Sequence, residues 1–517
     1  MSSRLSRPWE RAFPRVAPAL ATVAAAFAFL YCAYVAIRYS GQRLLDMHSF
    51  RQTQTALTAF WACHDGFRLD YETPVGGAPW SMPFEFPLYQ YLVALLSCRT
   101  GFGLERVGRL LSFAFLAACA LPAARIARSL YGRSWWEHFA VFSALFFSAP
   151  LYVYWGRAFL METAALFFSL CFVSYAISIC QGEHSGRTAA LAGVSLTLAI
   201  LQKSTTALPL LLVFGLAISL RAIRDLRAQG VRSSGPWFGI LAVAVPFLLG
   251  AGWARFADAV RERNPLGHYL TSKALLAWNF GSARSRVEWR LWDDVIWQRT
   301  TVANAGGWLG LATMVAGLVL LDAKHRKSIV VGVLLFLLYF MVFENLHFVH
   351  DYYQVANGVY LLFSVAIALG GILVHRNRIL GGTAALALLA LLVGNVRAFR
   401  AGGNYREMLV RHEGNDPVLA AAAFVDRNTD SARPIVVFGD DWHSELPFFS
   451  KRKAFVVPHF FPEYDDVLRN PARYVGEGPS AMLVCREDRK PEVELKIESS
   501  FKPSAVQRLD LCDVFLR

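Results

Sequence analysis

Five polar stretches of this sequence hold the residue types that acid–base chemistry and phosphate binding require. Each adjoins a long apolar run, and together they supply carboxylates, cations and aromatic rings. A carboxylate can accept the proton of an attacking hydroxyl, which speeds a reaction by about a hundred- to ten-thousand-fold. Lysine and arginine can stabilise charge on a departing phosphate, and an aromatic ring offers a flat face to a sugar. The stretches are 46–55, 80–90, 156–162, 201–205 and 345–353.

The elements that must position these stretches are membrane-spanning helices. The chain has 517 residues, of which 55% are hydrophobic and 17% charged, whereas soluble proteins carry about 25% charged residues. The apolar residues form long runs, and a bilayer core of about 30 Å needs about 20 of them in a helix. The net charge of +14 lies mostly in short loops between these runs, which argues against nucleic-acid binding. The eight cysteines form no CxxC pair, so zinc and thioredoxin signatures are absent from the sequence.

Eleven apolar runs are predicted to cross the membrane, and their flanking basic residues orient them by the positive-inside rule. The N-terminus, which carries Arg4 and Arg7, is placed in the cytoplasm. The predicted spans are 17–37, 106–127, 139–156, 163–180, 188–203, 206–220, 237–254, 305–321, 329–343, 355–374 and 379–396. The basic residues of the inside loops are then Arg125, Arg128, Arg133, Arg187, Arg221, Arg224, Arg227, Arg232, Lys324, Arg326, Lys327, Arg376 and Arg378.

The apolar stretch 87–96 is not counted as a span. Counting it would reverse every later loop and place the basic linker 221–232 outside. It is therefore predicted to be a helix lying at the membrane interface within the first outside loop. Cys63 and Cys98 then share an oxidising compartment, where they could form a disulfide or stay as separate thiols.

Three long segments fall outside the membrane: the loops 38–105 and 255–304, and the tail 397–517. The tail has short runs at 434–438, 454–457 and 481–485 that are typical of strands, with a helical pattern at 417–426. The predicted fold class is thus an α-helical polytopic membrane protein, 1–396, followed by a small α/β domain, 397–517.

The first outside loop resembles that of the GT-C-type glycosyltransferases, which use lipid-linked sugars. The similarity is greatest to the protein O-mannosyltransferase and aminoarabinose transferase group, glycosyltransferase family 39. Asp46, after the first span, matches the proposed catalytic base of that family, although Met47 stands where the family usually has Glu. His48, Arg51 and Gln52 resemble the His-x-x-Arg-Gln pattern of many bacterial members.

Four later motifs continue the resemblance in the same order. The stretch 85–89 corresponds to a Pro-Pro-Leu-type motif, and Arg157 with Glu162 corresponds to an Arg…Asp motif. Lys203 matches the lysine that ends span five, and 350–353 is similar to a His-x-Tyr-Tyr signature. The resemblance implies a GT-C fold over roughly the first 400 residues.

The resemblance also implies roles for the residues of these motifs. Asp46 and Glu162 are expected to be catalytic, Asp46 as base and Glu162 as the group that orients the acceptor or Asp46. The expected ligands of the donor phosphate are Arg51, Lys203 and His350. The expected substrate-binding residues are His48, Gln52, Glu85, Tyr89, Arg157, Asp351, Tyr352 and Tyr353. Basic residues of the second loop that could contact the phosphate or lipid headgroups are Arg261, Arg263, Lys273, Arg284 and Arg286.

Several of these residues also have a plain structural interpretation. Asp46 could be a solvated loop residue, Arg51 could pair with Asp46, and Lys203 could extend to the interface from a span end. The tyrosines could belong to an interfacial aromatic belt. The tail run 440–443, with two aspartates and a histidine, looks metal-binding but is better explained as a loop after a strand.

The expected function is transfer of a sugar from a polyprenyl-phosphate donor to an acceptor hydroxyl at the periplasmic face of the bacterial inner membrane. Nucleotide sugars are cytoplasmic, so an outward-facing site needs a donor already carried across. The expected partners are this donor, membrane lipids and a lipid, glycan or protein acceptor. No cofactor is required by the sequence, and a divalent metal is possible.

The alternatives are a transporter or flippase of lipid-linked saccharides, which commonly has charges at the membrane midplane and two related halves, or a polysaccharide polymerase or ligase of similar architecture.

The predicted topology can be tested with reporter fusions. A phosphatase or fluorescent reporter fused at residue 182 or 230 should read as cytoplasmic, and one at residue 280 as periplasmic, because basic residues are retained inside. A reversed reading at any of the three sites contradicts the topology.

Overall fold

The computed structural model describes residues 8–183, 185–230, 232–410 and 416–517. Arg4 and Arg7, used above to orient the N-terminus, lie outside the described residues. The chain divides into two compact units. Unit 1 comprises the described part of Met1–Tyr39 with Leu110–Gly250 and Ala277–Tyr405, and unit 2 comprises Ser40–Arg109, Ala251–Leu276 and the described part of Arg406–Arg517.

Helices make up most of the chain. Up to the end of the apolar region they are Pro8–Arg38, Ser49–Asp65, Leu88–Thr100, Leu104–Ala118, Ala120–Tyr131, Trp135–Ser148, Pro150–Trp155, Glu162–Cys180, Gly186–Gln202, Ser204–Leu210, Leu216–Gln229, Ser234–Arg261, Leu276–Phe280, Ala303–Ala305, Trp308–Leu320, Ala323–Val342, Glu344–Val349, Val355–Leu373 and Arg378–Ala401. Wider π-helical turns occupy Leu211–Gly215 and Leu291–Val302, and 3₁₀ turns occupy Gly132–Ser134, Gly267–Leu270, Ser285–Val287 and Asp351–Gln354. The helices of the tail are Gly403–Val410, Pro417–Asn428, Glu445–Ser450, Tyr464–Arg469, Pro471–Val475 and Pro491–Phe501, with a 3₁₀ turn at Arg486–Asp488.

The chain is a multi-pass membrane protein. Among the described residues, eight helices are long and apolar enough to cross a membrane, or nine if a pair bent by 83° at residues 306–307 forms one span. Each of the eleven predicted spans coincides with helical structure, but two of them merge into one apolar stretch, Leu104–Ser148, and Gly186–Gln202 is only 17 residues long. The count of eleven therefore stays a prediction.

The stretch 87–96 is helical, as predicted, over Leu88–Thr100. Its 13 residues give a length of about 20 Å at 1.5 Å per residue, which is too short for a bilayer core of about 30 Å. The helix therefore does not count among the spans, and its position at the membrane interface stays a prediction.

The tail contains a five-stranded sheet with the order β2-β1-β3-β5-β4. The strands are β1 Ile435–Phe438, β2 Ala454–Val457, β3 Ala481–Cys485, β4 Ala505–Arg508 and β5 Cys512–Leu516. Strands β2, β1 and β3 are parallel, and β5 joins β3 in antiparallel register with β4 outermost. All residues of β1, β2 and β3 are buried, as expected for parallel strands covered on both faces. The predicted α/β domain is thus confirmed.

The first loop and the tail belong to the same unit, and the loop covers one edge of the sheet. The amides of Ala454 and Val456 in β2 donate to the carbonyls of Pro74 and Val75, at 3.1 and 3.0 Å. This pairing satisfies backbone groups that an edge strand would otherwise expose. The division into domains at residue 396 stays a prediction.

Two disulfides stabilise unit 2. Cys63 and Cys98 join the helices Ser49–Asp65 and Leu88–Thr100, so the pairing that the sequence left open is present. Cys485 and Cys512 join β3 to β5. Disulfides persist in oxidising compartments, which agrees with the predicted placement of both the loop and the tail outside the cytoplasm.

Candidate functional site

In unit 1, Glu162 and Lys203 form a buried ion pair. Glu162 is the first residue of the helix Glu162–Cys180, where the helix dipole favours a carboxylate. Lys203 lies at the break between the helices Gly186–Gln202 and Ser204–Leu210, with extended backbone angles. Its ammonium contacts the Oε1 atom of Glu162, and both residues are 3% exposed. The other carboxylate oxygen, Oε2, has no hydrogen-bond partner among the described residues.

Two tyrosines complete the surroundings of the Lys203 ammonium. The nitrogen lies 4.1 Å from the ring centroid of Tyr353 and 4.9 Å from that of Tyr352. A cation over aromatic faces is stabilised by about 2 kcal/mol when desolvated. Both rings come from the turn Asp351–Gln354, and Tyr352 is buried. Residues predicted from the third, fourth and fifth stretches therefore meet around one ammonium group.

His347 is a residue of this cluster that the sequence prediction did not assign to the site. Its ring is 1% exposed, and Nδ1 has no hydrogen-bond partner among the described residues. Burial, together with the positive charge of Lys203, lowers the pKa of His347 to about 3. The imidazole is therefore neutral at physiological pH, because a second charge beside Lys203 would be unfavourable.

The other predicted residues of unit 1 are His350, Asp351 and Arg157. His350 stacks on Tyr352, with 5.2 Å between ring centroids, and Asp351 is the next residue of the same turn. Arg157 is 1% exposed and lies over the ring of Tyr154 at 5.6 Å.

In unit 2, Asp46 is held by Arg109. The guanidinium of Arg109 donates to both carboxylate oxygens of Asp46, at 3.0 and 3.1 Å, and to the carbonyl of Arg43. Gln52 donates from Nε2 to the Oδ1 atom of Asp46 at 2.9 Å. Arg109 and Asp46 are 0% and 1% exposed. Asp46 is therefore a fixed, buried carboxylate and not a solvated loop residue.

Arg51 takes part in a second ion pair of unit 2. Its guanidinium contacts Glu85 and the side chain of Gln54, and it lies 6.0 Å from the ring centroid of Phe84. Two residues predicted from separate motifs, Arg51 and Glu85, are thus brought together. The guanidinium of Arg261, from the second loop, also lies over the Phe84 ring, 5.3 Å from its centroid.

His48 and Tyr89 have clear structural roles. His48 precedes the helix Ser49–Asp65 with φ of 53°, a left-handed conformation that is uncommon outside glycine. Tyr89 is fully buried, and its hydroxyl donates to the carbonyl of Gly108 at 2.8 Å.

The remaining basic residues of the second loop are exposed or donate hydrogen bonds to nearby backbone carbonyls. Arg263 and Lys273 are exposed, and Arg284, 91% exposed, lies 3.9 Å from Glu288. Arg286 donates to the carbonyls of Met341 and Phe280. Contact of these residues with phosphate or headgroups stays a prediction.

The described residues contain no group of three or more His, Cys, Asp or Glu side chains placed to hold a metal ion. The run 440–443 is the loop that follows β1, as predicted.

Arg109 was missed because it was counted as part of a predicted span, although a charge inside an apolar run is itself a signal of function. His347 gave no comparable signal, because its burial and its distance from Lys203 depend on the packing of separate helices. Within each unit the predicted residues assemble as described, and a meeting of the two sets stays a prediction.

Comparisons with known proteins identify the fold. No family model matches the sequence, and no curated protein matches it. Among solved structures, ArnT from Cupriavidus metallidurans bound to undecaprenyl phosphate has a TM-score of 0.62 at 11% identity, over 95% of this chain and 97% of that one. The oligosaccharyltransferase AglB from Archaeoglobus fulgidus, in complex with an inhibitory peptide and a dolichol-phosphate, has a TM-score of 0.58 at 10% identity, over 90% and 69%. The arabinofuranosyltransferase AftD from Mycobacteria has a TM-score of 0.54 at 15% identity, over 99% of this chain but 40% of that one. All three are glycosyltransferases with the GT-C fold, so the GT-C fold predicted for this chain is confirmed.

The ion pair of unit 1 makes a stability prediction. Lys203→Met leaves the carboxylate of Glu162 buried without its cation, which should lower the free energy of unfolding by about 3–5 kcal/mol. The double variant Lys203→Met with Glu162→Gln removes both charges and should recover most of this loss. Thermal unfolding of the purified protein in detergent measures both effects. Arg284→Met, which breaks an exposed pair, serves as control and should change stability by less than about 1 kcal/mol. Equal stability of Lys203→Met and the wild type would contradict the buried pair.

Proposed function

We propose that this GT-C-fold protein transfers a sugar from a polyprenyl-phosphate donor to an acceptor hydroxyl at the periplasmic face of the bacterial inner membrane. The observation that carries the proposal is the ammonium of Lys203, buried against Glu162 and two tyrosine rings. The fold adds support, since ArnT, which shares it, is bound to undecaprenyl phosphate.

Lys203 is proposed to bind the donor phosphate. An ammonium group has three N–H donors, and Glu162 accepts from it through one oxygen, which leaves donors for phosphate oxygens. In a buried site the attraction between ammonium and phosphate is several times stronger than in water. His350, packed on Tyr352, and Arg51 are further candidate phosphate ligands. His347 adds a neutral ring nitrogen rather than a second charge.

Glu162 is proposed to orient the acceptor. Its Oε1 atom contacts Lys203, whereas Oε2 has no partner among the described residues. An unpaired buried carboxylate oxygen costs free energy, and an acceptor hydroxyl would satisfy it. Tyr353, with a partly exposed ring, can offer a face to a sugar.

Asp46 is proposed as the general base, with Arg109 and Gln52 fixing its orientation. In a single displacement the acceptor oxygen attacks the anomeric carbon and its proton passes to the carboxylate. The bond between that carbon and the phosphate oxygen breaks, and the electron pair leaves with the phosphate. One displacement inverts the configuration at the anomeric carbon.

The proposed function is tested by assaying transfer directly. Undecaprenyl-phosphate sugars are extracted from cells grown on tritiated glucose and added to membrane vesicles that contain the protein. Asp46→Ala and Glu162→Ala should each lower the transfer of label to acceptors by about a hundredfold or more, because a positioned carboxylate contributes about that much.

Two exposed outside carboxylates provide matched controls. Asp70→Ala and Glu288→Ala, whose side chains are 41% and 51% exposed, should keep wild-type transfer. Transfer that survives both Asp46→Ala and Glu162→Ala would contradict the proposed roles. Movement of the labelled lipid across the membrane without transfer would instead indicate a flippase.

A further inference from the structure

The loop 439–444 of the tail lies where open α/β sheets commonly bind ligands. It follows β1, which has parallel neighbours on both sides, β2 and β3. The chain runs from β1 to β2 on one side of it, and then crosses to β3 on the other side of β1. Such a reversal opens a crevice beyond the carboxyl ends of the strands, which is the usual ligand position.

The backbone of this loop is held in an unusual conformation. Asp441 has φ of 42°, and Arg486, in the loop after β3, has φ of 48°. Gly439 has φ of 79°, and a Cβ atom there would lie 2.0 Å from the carbonyl oxygen of Cys485. The Nε atom of Arg486 lies 2.9 Å from Asp440, which joins the two loops. Residues held in sparsely populated conformations are concentrated at functional sites.

Hydrogen bonds join the same loop to the helix that carries Arg51 and Gln52. Ser444 donates from its hydroxyl to the carbonyl of Phe50 at 2.6 Å and lies 2.9 Å from the hydroxyl of Thr53. Ser49 donates to the carboxylate of Glu445. All four side chains in these contacts, Ser49, Thr53, Ser444 and Glu445, are buried. The start of the helix Ser49–Asp65 is therefore joined to residues 444–445 of the tail by buried polar contacts.

Aromatic rings from the two segments pair along this junction. His443 stacks on Phe50 with centroids 5.4 Å apart and an angle of 16°. Trp442 lies 6.2 Å from Phe84, and the ring of Phe84 also faces Arg51 and Arg261. Trp442 is half-buried, and Asp441 beside it is exposed. A half-buried indole, with an exposed carboxylate next to it in the chain, thus lies beside the Phe84 ring that Arg51 also faces.

We infer that Trp442 and Asp441 form the acceptor subsite and that the acceptor is a saccharide. This inference rests on the proposed function. An indole ring matches the apolar face of a pyranose, and a carboxylate accepts hydrogen bonds from two neighbouring hydroxyls, whereas a lipid tail needs no such acceptor. A protein acceptor can add as a strand to a sheet edge, but the β2 edge is already paired with residues 74–75.

The experiment separates acceptor binding from cleavage of the donor. The full-length protein in nanodiscs receives the tritiated undecaprenyl-phosphate sugars alone, and release of free sugar to water is measured. The same variants in vesicles are assayed for transfer to endogenous acceptors. Trp442→Ala and Asp441→Asn should lower transfer by about tenfold or more and raise the KM for a crude saccharide acceptor fraction, while cleavage by water stays within about twofold of wild type.

Two variants control for folding. Trp442→Phe keeps an aromatic face and should retain most of the transfer, and Trp289→Ala, which removes a 76% exposed ring elsewhere, should have no effect. Equal loss of transfer and cleavage in Trp442→Ala, or no loss of either, would overturn the inference. Labelled product that protease digests would indicate a protein acceptor and also overturn it. If wild-type protein shows neither transfer nor cleavage, the proposed function itself fails.

Discussion

The cost of burying charge is the constraint on which this structure depends. Glu162 and Lys203 are 3% exposed in a chain that is otherwise largely apolar, and an isolated charge there would be unfavourable by several kcal/mol. Each charge is tolerated because the other is present and because Tyr352 and Tyr353 cover the ammonium. The positions of the helix ends make the pair possible, since Glu162 is the first residue of one helix and Lys203 lies between two others.

In the second unit a buried carboxylate is also compensated, but by a guanidinium and an amide. Arg109 and Asp46 share two hydrogen bonds in a fully buried position, and Gln52 satisfies a further lone pair of the carboxylate. Well-packed apolar residues would commonly be as stable as such a pair. Buried ionisable groups are concentrated at functional sites, and for this reason we propose that both groups take part in the transfer reaction.

The sequence predicted those features that follow from local pattern. The parallel strands 435–438, 454–457 and 481–485 are continuous apolar runs, and they were identified almost to the residue. Strands β4 and β5 were missed because β4 is exposed throughout and β5 contains Asp513, whose charge is compensated by Arg489 from elsewhere in the tail. The pairing of Asp46 with Arg109, 63 residues apart, and the burial of His347 could not be read from sequence, because both depend on packing between segments that are far apart in the chain.

The first loop shows the same division between local and long-range information. Its motifs at 46–52 and 85–89 were recognised from residue type, and the contact of Arg51 with Glu85 now joins them. The contribution of the tail to this region was not predicted. Ser444 and Glu445 reach the loop across more than 390 residues of chain, and only the fold brings them there.

The most direct test of the proposed phosphate-binding role of Lys203 is the affinity of the purified protein for undecaprenyl phosphate without a sugar. Lys203→Gln combined with Glu162→Gln removes both charges and should weaken binding by about tenfold or more, since a buried charge-assisted contact is worth well over 1 kcal/mol. Lys490→Gln, at an exposed position of the tail, should bind like the wild type. Unchanged affinity in the double variant would show that Lys203 does not hold the lipid phosphate.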